Sequence, residues 1–222
     1  MIVAEKKPLA EIKASLGQAR RILLVGCNTC VAACAAGGPK ETAMMASALR
    51  IAYEQAEEEV EIREASLDRQ CVHEFLDEIG EEIKRTEAVL SLACGAGVQA
   101  LARFYPKSVI VPALNTQFIG TTVEAGVWAE DCSGCGDCKL AYYAAVCPIT
   151  RCSKKLLNGP CGGSHDGKCE VSPDLDCAWQ LIYDRLAAIN QLDRLKEFVP
   201  PNDWSNSQSG RPRVIIREDR RL

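Results

Sequence analysis

Residues 21–38 read RILLVGCNTCVAACAAGG, an apolar run from Arg21 to Gly26 that passes directly into Cys27, Cys30 and Cys34. A short apolar run that ends at a glycine is the signature of a buried strand, and three more runs of the same kind follow it. They are residues 60–65 (VEIREA), 88–93 (AVLSLA) and 108–113 (SVIVPA). The segments between them have helical spacing. Residues 40–58 place Ala43, Ala46, Leu49, Ile51 and Tyr53 among polar neighbours, residues 75–83 place Phe75, Leu76, Ile79 and Ile83, and a third helix spans 98–104. The βαβαβαβ order predicts an α/β fold, a flavodoxin- or Rossmann-like parallel sheet with right-handed crossovers and strand order 2-1-3-4. This domain is placed at 18–127, after an N-terminal arm or helix over 1–17.

The chain has 222 residues, enough for one α/β domain and a smaller second one. With 47% hydrophobic and 25% charged residues it can bury a core, and disorder is not indicated. A net charge of -4 gives no general attraction to nucleic acid. Neither an apolar leader near Met1 nor a bilayer-length apolar stretch is found, which predicts a cytoplasmic protein outside the membrane. In a reducing compartment thirteen cysteines are expected to serve metals and not disulfides.

Eight of them crowd into a loop-rich segment, 128–178, which resembles a small ferredoxin-like metal-binding region. Cys132, Cys135 and Cys138 stand at a spacing of three, and Cys147 precedes Pro148. Overlapping CxxC units with a distant Cys-Pro suit the corners of a cubane. Cys152, Cys161, Cys169 and Cys177 complete eight ligands, the number for two [4Fe-4S] clusters. The gap from Cys138 to Cys147 exceeds the usual ferredoxin spacing, so the pairing stays open. The alternative is a structural zinc site of four cysteines, or of three with His165.

The remaining five, Cys27, Cys30, Cys34, Cys71 and Cys94, are far apart in sequence. In the predicted strand order they gather at the carboxyl edge of the sheet, where doubly wound folds bind ligands. Four suffice for one further metal centre and one is spare; burial as a small hydrophobe is the alternative for Cys34 or Cys71 taken singly. Gly26-Cys27-Asn28 has neither the dinucleotide glycine spacing nor a P-loop. A Cys71–His73 nucleophile pair is conceivable on spacing, but a histidine at a helix start more often caps or faces solvent.

Beyond the cysteines, residues 179–200 read as one amphipathic helix with Leu181, Ile182, Leu186, Ile189, Leu192 and Leu195 on its apolar stripe and Pro200 and Pro201 at its end. The stripe suits core or subunit contact. The tail, 201–222, is polar and then basic, with Arg211, Arg213, Arg217, Arg220 and Arg221 against Glu218 and Asp219, and reads as a solvated segment or an arm that orders on a partner.

Residues 158–163 (NGPCGG), 167–171 (GKCEV), Cys177-Ala178-Trp179 and Tyr183-Asp184-Arg185-Leu186 together resemble the methylenetetrahydrofolate reductase C-terminal domain family, which includes the small iron-sulfur subunit of acetogen-type reductases. The run 26–38, Arg69-Gln70-Cys71 and residues 92–99 (LACGAGVQ) fit the same resemblance. It implies an electron-transfer subunit without its own active site, serving the FMN or FAD of a partner (β/α)8 barrel that interconverts methylene- and methyltetrahydrofolate. A further electron-donor complex would feed it. The family's association with zinc implies that one site could hold zinc; a zinc-stapled docking subunit without redox role is the competing expectation.

Overall fold

The computed structural model describes residues 1–207 and 212–221, so Arg211 lies outside the described residues. The chain divides into two compact units, Met1–Ala129 and Glu130–Leu222.

In the first unit the elements run β1 (Ile2–Lys6), α1 (Leu9–Leu16), β2 (Arg21–Cys27), α2 (Cys30–Ala33), α3 (Pro39–Glu54), β3 (Glu61–Leu67), α4 (His73–Leu76), a 3-10 turn (Asp77–Ile79), α5 (Gly80–Ile83), β4 (Ala88–Leu92), α6 (Gly95–Phe104), β5 (Val109–Pro112), β6 (Leu114–Glu124) and β7 (Val127–Cys132). Four strands form a parallel sheet in the order β3-β2-β4-β5. The central strands are apolar but for Arg21 at the start of β2 and Ser91 in β4, because both sheet faces are covered. Ile22 and Leu24 of β2 join Ile12, Leu16, Leu49 and Tyr53 on one face. Leu23 and Val25 join Leu76, Ile83 and Leu101 on the other.

A second sheet, β1-β6-β7, lies outside the sequence expectation of a terminal arm or helix. β1 pairs antiparallel with β6 from Ile2↔Ile119 to Lys6↔Leu114. Its signal is hidden because β6 is mostly exposed and polar, with only Leu114 and Gly120 buried. Gly120 is required there, since a Cβ would stand 1.9 Å from the Ala129 carbonyl oxygen. The expected helix over 75–83 is broken into α4, the 3-10 turn and α5.

The second unit holds a 3-10 turn (Leu140–Tyr143), α7 (Pro148–Arg151), an antiparallel pair β8 (Lys168–Cys169) and β9 (Ser172–Asp176), α8 (Ala178–Ala188) and three further 3-10 turns, Leu192–Lys196, Trp204–Asn206 and Glu218–Arg220. Its core is small: Tyr143, Cys177, Trp179, Ile182, Leu186 and Val199. Two polar groups of this core are satisfied locally, Tyr143 donating to the Leu157 carbonyl (2.9 Å) and Trp179 to that of Leu156 (3.1 Å).

The single helix expected over 179–200 stops at Ala188. Asn190 takes the left-handed conformation (φ 56°), and the Gln191 and Asn190 amides close back on the carbonyls of Leu186 (2.8 Å) and Ala187 (3.0 Å). This is a Schellman termination, which asparagine tolerates next best after glycine. As a result only Ile182 and Leu186 of the expected stripe reach the core, while Ile189, Leu192 and Leu195 stay exposed.

Candidate metal centres

β3 and β4 flank β2 on its two sides, so the segments that follow all three strands leave the sheet at one edge. Cys27 is the last residue of β2, and Cys30 opens α2 after a two-residue turn. Cys71 lies between β3 and α4, and Cys94 immediately precedes α6. Cys94, Cys27 and Cys30 each come within electrostatic reach of Cys71. Burial first, then the charges of Cys94, Cys27 and Cys30, push the Cys71 thiol above its ordinary value. Cys27 Sγ lies 3.9 Å from both Thr29 Oγ1 and the Asp68 carbonyl oxygen, which ties the first cysteine to the loop that carries the third.

Close backbone packing holds this edge. A Cβ on Gly37 would stand 2.1 Å from the Leu92 carbonyl oxygen, so the segment after α2 rests directly on the end of β4. A Cβ on Gly97 would meet Ala93 and Gln70 at 2.8 and 3.1 Å, which seats the first turn of α6 against the Cys71 loop. Gln70 is fully buried. Its Nε2 donates to the carbonyls of Val25 (2.8 Å) and Gly26 (3.0 Å), and its Oε1 accepts from the Ser91 hydroxyl (2.6 Å). One side chain thereby joins the ends of β2 and β4 to the residue beside Cys71. Spacing in the sequence points to the cysteines but gives no hint of this glutamine, because burial of a polar residue has no local signature.

Cys34 goes elsewhere. It is buried in the core, with Sγ 3.5 Å from the Val31 carbonyl oxygen and 3.7 Å from that of Ala4. His73 packs edge-on against Phe104 at 5.3 Å between ring centroids, a structural contact and not one with Cys71.

In the second unit three sulfurs sit in one recurring turn. Cys132 accepts from the Gly134 amide and Cys161 from the Gly163 amide, both at 3.4 Å. Cys169 repeats the pattern: hydrogen bonds from the Val171 amide and then the Ser153 hydroxyl hold its thiol below the ordinary value. Amide donors aimed at sulfur favour the thiolate, the form that binds metal. Cys135 Sγ lies 3.8 Å from the Asp137 carbonyl oxygen, and Cys138 is exposed. Cys147 and Cys177 precede α7 and α8, and Cys152 packs on the small core beside Cys177. His165 lies at the surface with Nδ1 2.9 Å from Asp166 Oδ2.

All thirteen cysteines are free thiols. Among the described residues no group of three or more His, Cys, Asp or Glu side chains is drawn together as around a single metal ion. Tetrahedral ligation of one zinc brings sulfurs to about 3.8 Å of each other; the ligands of a cubane stand farther apart, because each binds a different iron. The donor sets fit metal in chemical kind. Four neighbouring thiolates repel one another unless a cation lies among them. Orphaned polar atoms point the same way in the second unit: Thr150 Oγ1, between Cys147 and Cys152, and both amide atoms of Asn202 are buried without a partner among the described residues.

Fold and thiols define a two-unit α/β protein with a cysteine-lined sheet edge and a cysteine-rich second unit. A family model described as methylene-tetrahydrofolate reductase C terminal matches residues 111–205, less than half of the chain but including all eight cysteines of the second unit. No curated protein and no solved structure matches the chain. Among the described residues no helix is long and apolar enough to cross a membrane.

Proposed function

We propose that this chain is an iron-sulfur electron-transfer subunit that relays electrons to or from the flavin of a partner methylenetetrahydrofolate reductase barrel. The observation that supports it most is the meeting of Cys27, Cys30, Cys71 and Cys94 at one sheet edge, from positions spread over three strand ends. Such an edge ordinarily receives a nucleotide; thiols there serve a metal instead. The family match directs the reading to methylenetetrahydrofolate chemistry.

A [4Fe-4S] cluster supplies one-electron chemistry when bound. The chain's own residues prepare for it. Cys27, Cys30, Cys71 and Cys94 would hold one centre, fixed by Gln70 and by the close approach of Gly37 to β4. Cys132, Cys135, Cys138, Cys147, Cys152, Cys161, Cys169 and Cys177 would hold two more, with the amides of Gly134, Gly163 and Val171 stabilising negative sulfur. Reduction of the folate carbon takes two electrons and two protons, so a flavin that collects electrons singly and passes them on in pairs belongs in the partner.

The test is metal analysis and electron paramagnetic resonance on protein purified without oxygen, with viologen-linked methylenetetrahydrofolate reduction by the barrel subunit in the presence and absence of this chain. Iron with sulfide and chain-dependent activity are expected. Stoichiometric zinc without iron, or full activity of the barrel alone with every donor, would leave the zinc-stapled docking role in its place.

A further inference from the structure

The segment after residue 211 has two properties that are rarely combined. Val214, Ile215 and Ile216 are consecutive, β-branched and exposed at 83%, 87% and 62%. The residue before them is fastened to a cysteine loop. Arg213 donates from Nη2 to the Gly134 carbonyl (3.0 Å) and from Nη1 to the Asn206 carbonyl (2.5 Å), and the Gly134 amide in turn donates to Cys132 Sγ. Asp203 adds a second tie, its amide donating to Asp137 Oδ2 at 2.8 Å. Gly136 makes the approach possible, since a Cβ there would stand 2.4 Å from the Asn206 carbonyl oxygen.

We infer that residues 213–217 are a docking strand for the flavin-bearing barrel subunit, received in an apolar groove rimmed by carboxylates, and that docking sets that partner against loop 132–138. The inference rests on the proposed function for the identity of the partner. The occupant follows from the chemistry of the strand. Three exposed β-branched residues, outside any helix or strand, suit addition to a sheet edge or an apolar groove. Alternation would put Val214 and Ile216 on one face and Arg213, Ile215 and Arg217 on the other. Among described residues 213–221 four arginines face only Glu218 and Asp219, a local cationic excess in a chain of net charge -4. The Arg217–Asp219 and Arg221–Glu218 pairs are exposed and exchangeable. Position completes the case, since Ile215 lies two residues from Arg213, about 7 Å of extended chain from a residue bonded to the loop.

The experiment uses the metal-loaded full chain and the barrel subunit, with affinity measured at low and high salt. Ile215→Asp and truncation after residue 213, which keeps the Arg213 tie to the Gly134 carbonyl, should each weaken binding by about 30-fold or more, the scale of losing an interface anchor, with iron content and resonance spectrum unchanged. Arg217→Glu with Arg220→Glu should slow association and flatten its salt dependence. Unaltered affinity after truncation, or no binding of the barrel by the intact chain, overturns the inference. So does self-association of the chain that truncation abolishes, which would make a second copy the occupant. If protein purified without oxygen proves to carry no iron and yet binds the barrel through the strand, the electron-transfer reading falls and the docking strand stands.

Discussion

The two units carry cysteines on opposite terms. In the first, two large apolar clusters on the faces of a four-stranded sheet hold the backbone, and the thiols are delivered by the strand ends. In the second, the described hydrophobic cluster has six buried residues, Cys177 among them, for a segment that bears eight cysteines. Burial at about 25 cal/mol per Å² gives so small a cluster little surplus over chain entropy. On the proposed reading, the comparison makes metal a passenger on the first fold and a structural member of the second.

The strongest way to break that contrast is to withdraw the metal. Chelation should abolish amide-exchange protection in α8 and over residues 168–176 while β2 and β4 keep theirs, because ligation in small cysteine-rich domains is worth about 10–16 kcal/mol of folding free energy. Equal protection in both units after metal removal would erase the distinction. Next in size is the converse change. Leu90→Ala, at a fully buried position of β4, should destabilise the first unit by about 2–5 kcal/mol in denaturant melts and leave the metal signature of the second unchanged.

Gln70→Ala is expected to be smaller in stability and larger in specificity. It removes the donor to two carbonyls and the acceptor of buried Ser91, a cost of about 1–3 kcal/mol. The metal signal assigned to Cys27, Cys30, Cys71 and Cys94 should broaden or vanish while the others persist. Retention of that signal at full intensity would show that the edge positions its thiols without the glutamine.

The smallest effect concerns protons in metal-free protein. The Cys71 thiol is pushed up by burial and its neighbours, so the folded chain keeps that proton longer than the unfolded one; its contribution favours folding at lower pH and is lost as pH rises through the raised folded value. The Cys169 thiol is held down by amide and hydroxyl donors, so its contribution is present above the unfolded value and is lost as pH falls through the depressed folded one. Iodoacetamide near neutral pH should therefore modify Cys169 before Cys71, read by peptide mass spectrometry. The reverse order would show that access outweighs thiolate fraction.

Much of the first unit was legible in its sequence. Apolar runs ending at Gly26, Ala65, Ala93 and Ala113 mark the four parallel strands within one or two residues, and the assumed contact between the first and third of them is made by β2 and β4. That contact places Cys27 and Cys94 at the ends of neighbouring strands. The count of five cysteines with one to spare could not say which was spare. Cys34, at the end of α2, lies in the core cluster with Sγ beside the Val31 and Ala4 carbonyls, a tertiary placement that the spacing does not announce. β6 was missed because only two of its eleven residues are buried, so no alternation shows. The break after Ala188 had a local clue in Asn190, overridden in the sequence by apolar residues that continue the helical period to Leu195. Gln70 enters the sequence reading only as part of a motif, and its burial, like that of Asn202, was illegible because buried amides declare themselves only through their neighbours.

The pairing of β1 with β6 also has a consequence for synthesis. Ile2 must wait for Ile119, and at translation rates of about 5–20 residues per second that delay is roughly 6 to 23 s. All four strands of the parallel sheet precede Leu114, so that sheet has its complete set of partners while β1 still has none. During this interval β1 lacks its strand partner, although α2 and Cys34, which pack against Val3 and Ala4, are already made. What stays open until β6 emerges is the backbone edge of β1, whose amides and carbonyls from Ile2 to Lys6 find their sheet partners last.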